Sequence, residues 1–291
     1  MTKKLLIIAG SDPSGGAGLQ VDIKVAAAYK VYASAVVASL TAQNTKQVVS
    51  VYNPPVQFLK MQLEAVLDDI QFDVIKIGML ARADIIDCVA DILAKKVKKN
   101  PIVLDPVMVA TSGDLLLEKN AVEALKNFAA QAFLITPNVD EAKVLAEMEI
   151  KNIEDMKCAA LKIKDFGVKN VLIKGGHSSP PSLRALAKQS IVVKDRLLRF
   201  ARNDGAGGFY DNKQITNILL DEKGKFHEIS NKKLDIGNVH GTGCSLASAI
   251  ACNLAYKKSL LNSVKNANNY IYEQLLQSVK IGKGSKILKH F

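Results

Sequence analysis

The chain has no tryptophan, and aromatic residues make up only 5% of its 291 positions. Proteins that stack bases or sugars need flat aromatic faces, so this scarcity argues against both classes. Cysteine is sparse: Cys88, Cys158, Cys244 and Cys252 form no Cys-x-x-Cys pair, which removes the usual signs of a zinc site or a disulfide framework. No apolar run is long enough to span a bilayer. Lys3-Lys4 before Leu5-Leu6-Ile7-Ile8-Ala9 imitates a secretory start, but the run stops at Gly10 and Asp12, too short for a signal core. A soluble protein of the reducing cytoplasm, with no membrane partner, is expected. Two phosphate-loop signatures are also missing. Gly10 does not open a Gly-x-Gly-x-x-Gly fingerprint, and no Gly-Lys-Ser of the Walker type occurs, which disfavours a dinucleotide fold or a P-loop.

What is present is ordinary for a globular chain, with 48% hydrophobic and 23% charged residues and length enough for a large core. The net charge of +11 raises nucleic acid as a partner. Nearly half of that excess, however, sits between Arg184 and Arg202, where six basic residues face Asp195 alone. No nucleic-acid motif accompanies it. The surrounding segment, about 178–211, holds Pro180-Pro181 and Asn203-Asp204-Gly205-Ala206-Gly207-Gly208. It reads as a flexible insertion in a single domain spanning 1–291.

Short β-branched runs recur at Leu5–Ala9, Ala35–Ser39, Asp73–Ile77, Ile102–Leu104, Phe133–Ile135 and Val171–Ile173. Helical patterns separate them, predicting a mostly parallel sheet covered on both faces. Gln214–Leu220 and Lys225–Ile229 flank Asp221-Glu222-Lys223-Gly224, a hairpin signal. Helices to about Tyr256 and over Leu260–Val279 close the pattern.

The chain is organised around Asn238-Val239-His240-Gly241-Thr242-Gly243-Cys244-Ser245, which runs into small and apolar residues that can start a helix. A helix start presents unpaired amides and favours anions. The same field stabilises a thiolate, so Cys244 reads either as a base beside a phosphoryl site or as a small core filler. In open α/β sheets ligands bind beyond the strand ends, and those ends are polar or glycine-rich here. Gly10–Gly18 offers a flexible backbone, with Asp12 and Asp22 as polar contacts. Gln43 carries an amide suited to an aminopyrimidine edge, and Met79 suits a flat ring or a core position. Asp105, Asn138 and Glu141 form an oxygen-rich set of the kind Mg²⁺ prefers. Asp140 reads as first-turn helix charge. Lys174-Gly175-Gly176-His177 places a cation at another strand end, a suitable phosphate contact.

Ala9–Gly18, Ala42-Gln43-Asn44-Thr45, Lys76-Ile77-Gly78-Met79-Leu80, Leu104-Asp105-Pro106-Val107-Met108, Thr136-Pro137-Asn138, Lys174–His177 and His240–Cys244 occur in this order. In combination they closely resemble the hydroxymethylpyrimidine/phosphomethylpyrimidine kinases of thiamine biosynthesis, within the ribokinase-like superfamily. The resemblance extends to Gly282-Lys283-Gly284 and His290-Phe291. It implies a three-layer α/β/α fold with a small edge flap over the substrate, and two successive phosphorylations by ATP. By position, Gln43 and Met79 would hold the pyrimidine, with Ala17, Asp22 and Val107 nearby. Lys174, Asn138 and Thr242 would contact ATP, while Asp105 and Glu141 would organise Mg²⁺ directly or through water. Gly241, Thr242, Gly243 and Cys244 would form the anion hole, with Cys244 as base. The family passes from Gly-Gly-His to the next strands by a shorter connection, so the 178–211 insertion is a departure. A homo-oligomer, most simply a dimer, is the expected assembly. Two other readings compete: a pyridoxal kinase of the same fold, and a basic, non-catalytic nucleic-acid-binding protein.

Overall fold

The computed structural model describes residues 1–97, 99–109, 116–118, 120–176 and 214–290. The expected insertion at 178–211, and His177 before it, lie outside the described residues.

Strand β1 (Lys4–Ser11) leads into helix α1 (Gly18–Ala28), and β2 (Tyr32–Gln43) turns back as β3 (Val48–Tyr52). Then follow α2 (Val56–Asp69), β4 (Val74–Ile77), α3 (Ala83–Lys96), β5 (Ile102–Leu104), α4 (Ala121–Ala129) and β6 (Leu134–Ile135). Helices α5 (Val139–Ala146) and α6 (Ile153–Lys164) precede β7 (Asn170–Ile173). The chain continues through β8 (Gln214–Leu220), β9 (Phe226–Lys232), β10 (Val239–His240), α7 (Thr242–Ala255), α8 (Leu260–Leu276) and β11 (Lys286–Ile287).

Nine strands form one sheet in the order β3-β2-β1-β4-β5-β6-β7-β8-β9. The run from β2 through β7 is parallel, and β3, β8 and β9 pair antiparallel at its two edges. Strand alternation sorts the side chains into two cores. Leu6 and Ile8 of β1 pack with Leu59, Ile85, Leu125 and Ile163 from α2, α3, α4 and α6. Leu5, Ile7 and Ala9 pack with Val25, Ile250 and Val264 from α1, α7 and α8. Helix α7 is buried nearly all round and carries mostly small and apolar residues, which suits a helix enclosed between the sheet and two other helices.

The predicted elements are present, with differences at their edges. Strand β2 runs from Tyr32 to Gln43, well beyond the expected Ala35–Ser39, because it pairs with β1 from Tyr32 to Leu40 and with β3 from Leu40 to Gln43. Strand β3 was not anticipated: Val48–Tyr52 follows a polar turn whose Asn44 side chain accepts from the Lys46 and Gln47 amides. The small β10–β11 ladder, Val239 to Lys286 and His240 to Ile287, is likewise too short to leave a periodic signal.

Chain order reverses around β1, which lies between β2 and β4. Such a switch point opens a crevice at the carboxyl ends of the strands.

Candidate active site

A cavity of about 330 Å³ occupies that crevice, walled by the ends of β1, β2, β4, β5 and β7 and by the start of α7. Its floor is the Gly241 turn. Gly241 has φ +79° and forms the N-cap of α7. A side chain there would be strained by that φ, and its Cβ would overlap the Gly16 carbonyl oxygen. The loop after β1 therefore rests directly on the turn. The helical ladder begins with the Ser245 N–H donating to the Gly241 carbonyl at 2.9 Å. The Gly243 and Cys244 amides stand ahead of that ladder, at the positive end of the helix dipole.

Cations gather beside this turn. Lys174, buried at the end of β7, donates to Asp105 Oδ1 at 2.8 Å. Its Nζ would be only 3.1 Å from a Cβ on Gly243. Asp105 also accepts from Thr136 Oγ1 at 3.1 Å. Burial opposes its charge, but Lys174 and then Lys76 more than offset that and hold the carboxyl below its ordinary value.

Lys76 is fully buried within β4, donates to Asp22 Oδ2 at 2.7 Å and lines the cavity. Ser248 Oγ of α7 donates to the other Asp22 oxygen at 2.7 Å. Burial opposes the Lys76 charge, yet Asp22 beside it keeps the ammonium above its ordinary value. This lysine was missed in the sequence, although a charged residue inside Val74-Ile75-Lys76-Ile77, all four buried, is itself a signal, since an unpaired charge is not buried there cheaply.

Cys244 faces the cavity. Burial pushes its thiol up to about 12; the Lys76 charge pulls it down, and Asp105 and Asp22 push it further up. Burial thus works against the thiolate that a helix start favours, with Lys76 acting in its support.

Asn138 caps α5, accepting from the Asp140 and Glu141 amides at 2.9 Å, while Glu141 Oε2 accepts from the Asn138 amide at 2.8 Å. This capping box commits the Asn138 side-chain oxygen. Burial lifts Glu141 to about 7, opposed by Lys174 and reinforced by Asp105. Asp140 takes its place in the first turn, 3.4 Å from Lys143 Nζ.

The cavity wall includes Gln43, Met79, Ala17, Val107, Lys174, Asn138, Asp105 and Glu141. Gly241, Thr242, Gly243 and Cys244 join them. Of the residues singled out in the sequence, Asp22 alone stands back from the wall, behind Lys76. Ile236, Leu246, Ile271 and Leu275 add an apolar stretch to the same wall. Sequence reading missed these because Ile271 and Leu275 follow ordinary helical core spacing.

An apolar slot, an anion-ready helix start and paired cations in one crevice define a phosphotransferase that acts on small molecules. The family model for phosphomethylpyrimidine kinase matches residues 12–289. A hydroxymethylpyrimidine/phosphomethylpyrimidine kinase of Aquifex aeolicus is 38% identical, covering 97% of this chain and 98% of that protein. A probable thiamine biosynthetic bifunctional enzyme of rice chloroplasts is 36% identical over 97% of this chain, which spans 46% of its length. Among solved structures, a phosphomethylpyrimidine kinase from Clostridium difficile is 34% identical, with a TM-score of 0.73 over 94% of this chain and 99% of that one. A Bacillus subtilis pyridoxal kinase, in an ADP complex, is 28% identical, with a TM-score of 0.81 over all of this chain and 98% of that one. The chain belongs to the phosphomethylpyrimidine kinase family and is a kinase of ribokinase-like fold.

Proposed function

We propose that the protein transfers the γ-phosphoryl group of ATP to the hydroxymethyl oxygen of hydroxymethylpyrimidine, and then a second phosphoryl group to the monophosphate. The observation that carries this reading is the placement of the Gln43–Met79–Val107 slot and the Gly241–Cys244 turn in one cavity. The ring lies in the slot, against Met79 and Val107, with Gln43 at its polar edge and Ala17 beside it. The base of the nucleotide lies against the apolar stretch of Ile236, Leu246, Ile271 and Leu275, and the phosphates meet Lys174, Thr242 and the amides of the turn. Charge on the phosphoryl group in flight is stabilised by those oriented N–H groups and by Lys174. Cys244 takes the hydroxyl proton, and the Lys76 ammonium stabilises the thiolate it needs.

Asp105 and Glu141 suit Mg²⁺. Glu141 is lifted by burial with Asp105 near it, and a dication beside the two carboxyls would oppose that lift. Among the described residues no group of three or more His, Cys, Asp and Glu is arranged to hold a metal. The pair thus fits an ion that keeps waters and phosphate oxygens as its other ligands. When bound, Mg²⁺ would neutralise phosphate charge. The setting proposed is the cytoplasm; among the described residues no helix is long and apolar enough to cross a membrane.

Kinase assays with hydroxymethylpyrimidine and with its monophosphate, each with Mg-ATP, test the proposal. Turnover of both is the expected result. The likeness to pyridoxal kinases supports a second reading, and a kcat/KM favouring pyridoxal over the pyrimidine would replace the first with it.

A further inference from the structure

The histidine just before the anion turn meets two groups that it cannot satisfy as they are placed. His240 Nε2 lies 2.9 Å from Asp12 Oδ2 and 3.1 Å from Gln43 Nε2. A ring nitrogen either carries a proton and donates, or lacks one and accepts. Asp12 decides which. Its Oδ1 accepts from the Ser14 amide at 2.9 Å and the Ser14 hydroxyl at 2.7 Å, and its Oδ2 accepts from the Ala17 amide at 2.9 Å. Burial opposes its charge, but hydrogen bonds from His240 and Ser14 hold the carboxyl below its ordinary value. An ionised carboxylate only accepts. His240 Nε2 therefore carries the proton, donates it to Asp12, and has no lone pair for the Gln43 amino group.

A second conflict lies on the other side of the same amide. Thr41 Oγ1 is 2.9 Å from the Ser11 carbonyl oxygen and 3.1 Å from Gln43 Oε1. The hydroxyl proton goes to the nearer Ser11 oxygen, which leaves a lone pair of Thr41 Oγ1 facing Gln43 Oε1, oxygen against oxygen. A half-turn of the Gln43 amide resolves both conflicts together. Oε1 then shares the His240 N–H with Asp12, and Nε2 donates to Thr41, whose proton goes to Ser11. The two ends of an amide are alike in shape, so the network decides their assignment.

We propose that His240, held by Asp12, is a positioning residue that fixes which way round the Gln43 amide faces, and so the order of donor and acceptor it shows a substrate. With those two contacts made, the amide keeps one N–H and one oxygen lone pair. The matching edge has an acceptor on the Thr41 side and an N–H donor on the His240 side. The ring nitrogen and amine of an aminopyrimidine supply that order. The substrate part of the inference rests on the pyrimidine reading above; the proton on His240 does not.

Nitrogen-15 NMR of the free, full-length protein reads the histidine directly. A proton on His240 Nε2 is expected, and a proton on Nδ1 alone would overturn the proposal. The kinetic test compares His240→Phe with His240→Gln, whose amide brings an N–H to similar reach. For His240→Phe the pyrimidine KM is expected to rise about 10- to 100-fold, the size of a lost buried polar pairing, with the ATP KM unchanged. Its discrimination between the aminopyrimidine and the deamino analogue should collapse, and His240→Gln should recover most of it. Equal losses in the two variants, or a fall confined to kcat, would also overturn it. If the enzyme instead prefers pyridoxal, the NMR result still decides the amide's orientation, so the two failures are told apart.

Discussion

At the thiol of Cys244 two demands meet. It must take a proton from an alcohol, yet burial lifts it to about 12 in the free protein. A base so far above neutral pH is ionised in a small fraction that grows tenfold per pH unit. We therefore expect log kcat/KM for hydroxymethylpyrimidine to climb with a slope near one between about pH 7 and pH 9. In Cys244→Ala that slope should flatten and kcat should fall by about 10²–10⁴, with the thermal midpoint retained. A variant with near wild-type rate would remove Cys244 from the mechanism. Glu141 gives a stability test of definite sign. Burial raises it to about 7 in the folded protein from an ordinary 4.5, so folding favours its protonated form. Its stabilising contribution is complete below pH 4.5 and is lost as pH rises through 7. The raised value corresponds to about 3 kcal/mol at most. Glu141→Gln keeps an acceptor for the capping box, and its thermal midpoint should vary less between pH 5 and pH 8 than that of the wild type.

Among the elements, the short β10–β11 ladder matters more than its length suggests. It delivers His240 and Gly241 to the floor of the cavity, and the residues around it tie that floor to the β2–β3 turn. The Gly284 amide donates to Thr45 Oγ1 at 3.1 Å, and the Ser285 amide donates to the Thr45 carbonyl at 2.9 Å. A Cβ on Gly284 would overlap that carbonyl oxygen. Beyond β11, His290 Nε2 lies 3.1 Å from Ser245 Oγ in the first turn of α7. Gly284→Val should therefore lower kcat/KM for the pyrimidine at least tenfold through two broken hydrogen bonds, with far-UV circular dichroism unchanged. Gly282-Lys283-Gly284 and His290-Phe291 entered the sequence reading only through the family resemblance; that the fold joins Gly284 and Ser285 to Thr45, and His290 to Ser245, was not legible. The main strands were legible, because runs such as Leu5–Ala9 are apolar on both faces. So were the strand-end motifs, whose polar residues break those runs. What escaped was pairing across long sequence distances: Lys76 with Asp22, and His240 with Asp12 over 228 positions.

For the molecule as a whole, the unfinished feature is the edge of the sheet at β3. Val49 and Tyr52 are 65% and 61% exposed there, with Val51 beside them, and an apolar edge strand invites pairing. We propose that two copies meet across it in a two-fold dimer. Sedimentation is expected to give twice the chain mass, and Val49→Lys with Val51→Lys to give monomers; a monomeric wild type would refute this. A further property follows from the Gly241 turn resting on the Gly16 carbonyl. With the Gly16 carbonyl pressed on the Gly241 backbone and Asp12 bonded to His240 beside it, the two loops should shift as one body. Whatever loosens the acceptor side also pulls apart the phosphoryl cradle, so an enzyme without its alcohol should spend little ATP on water.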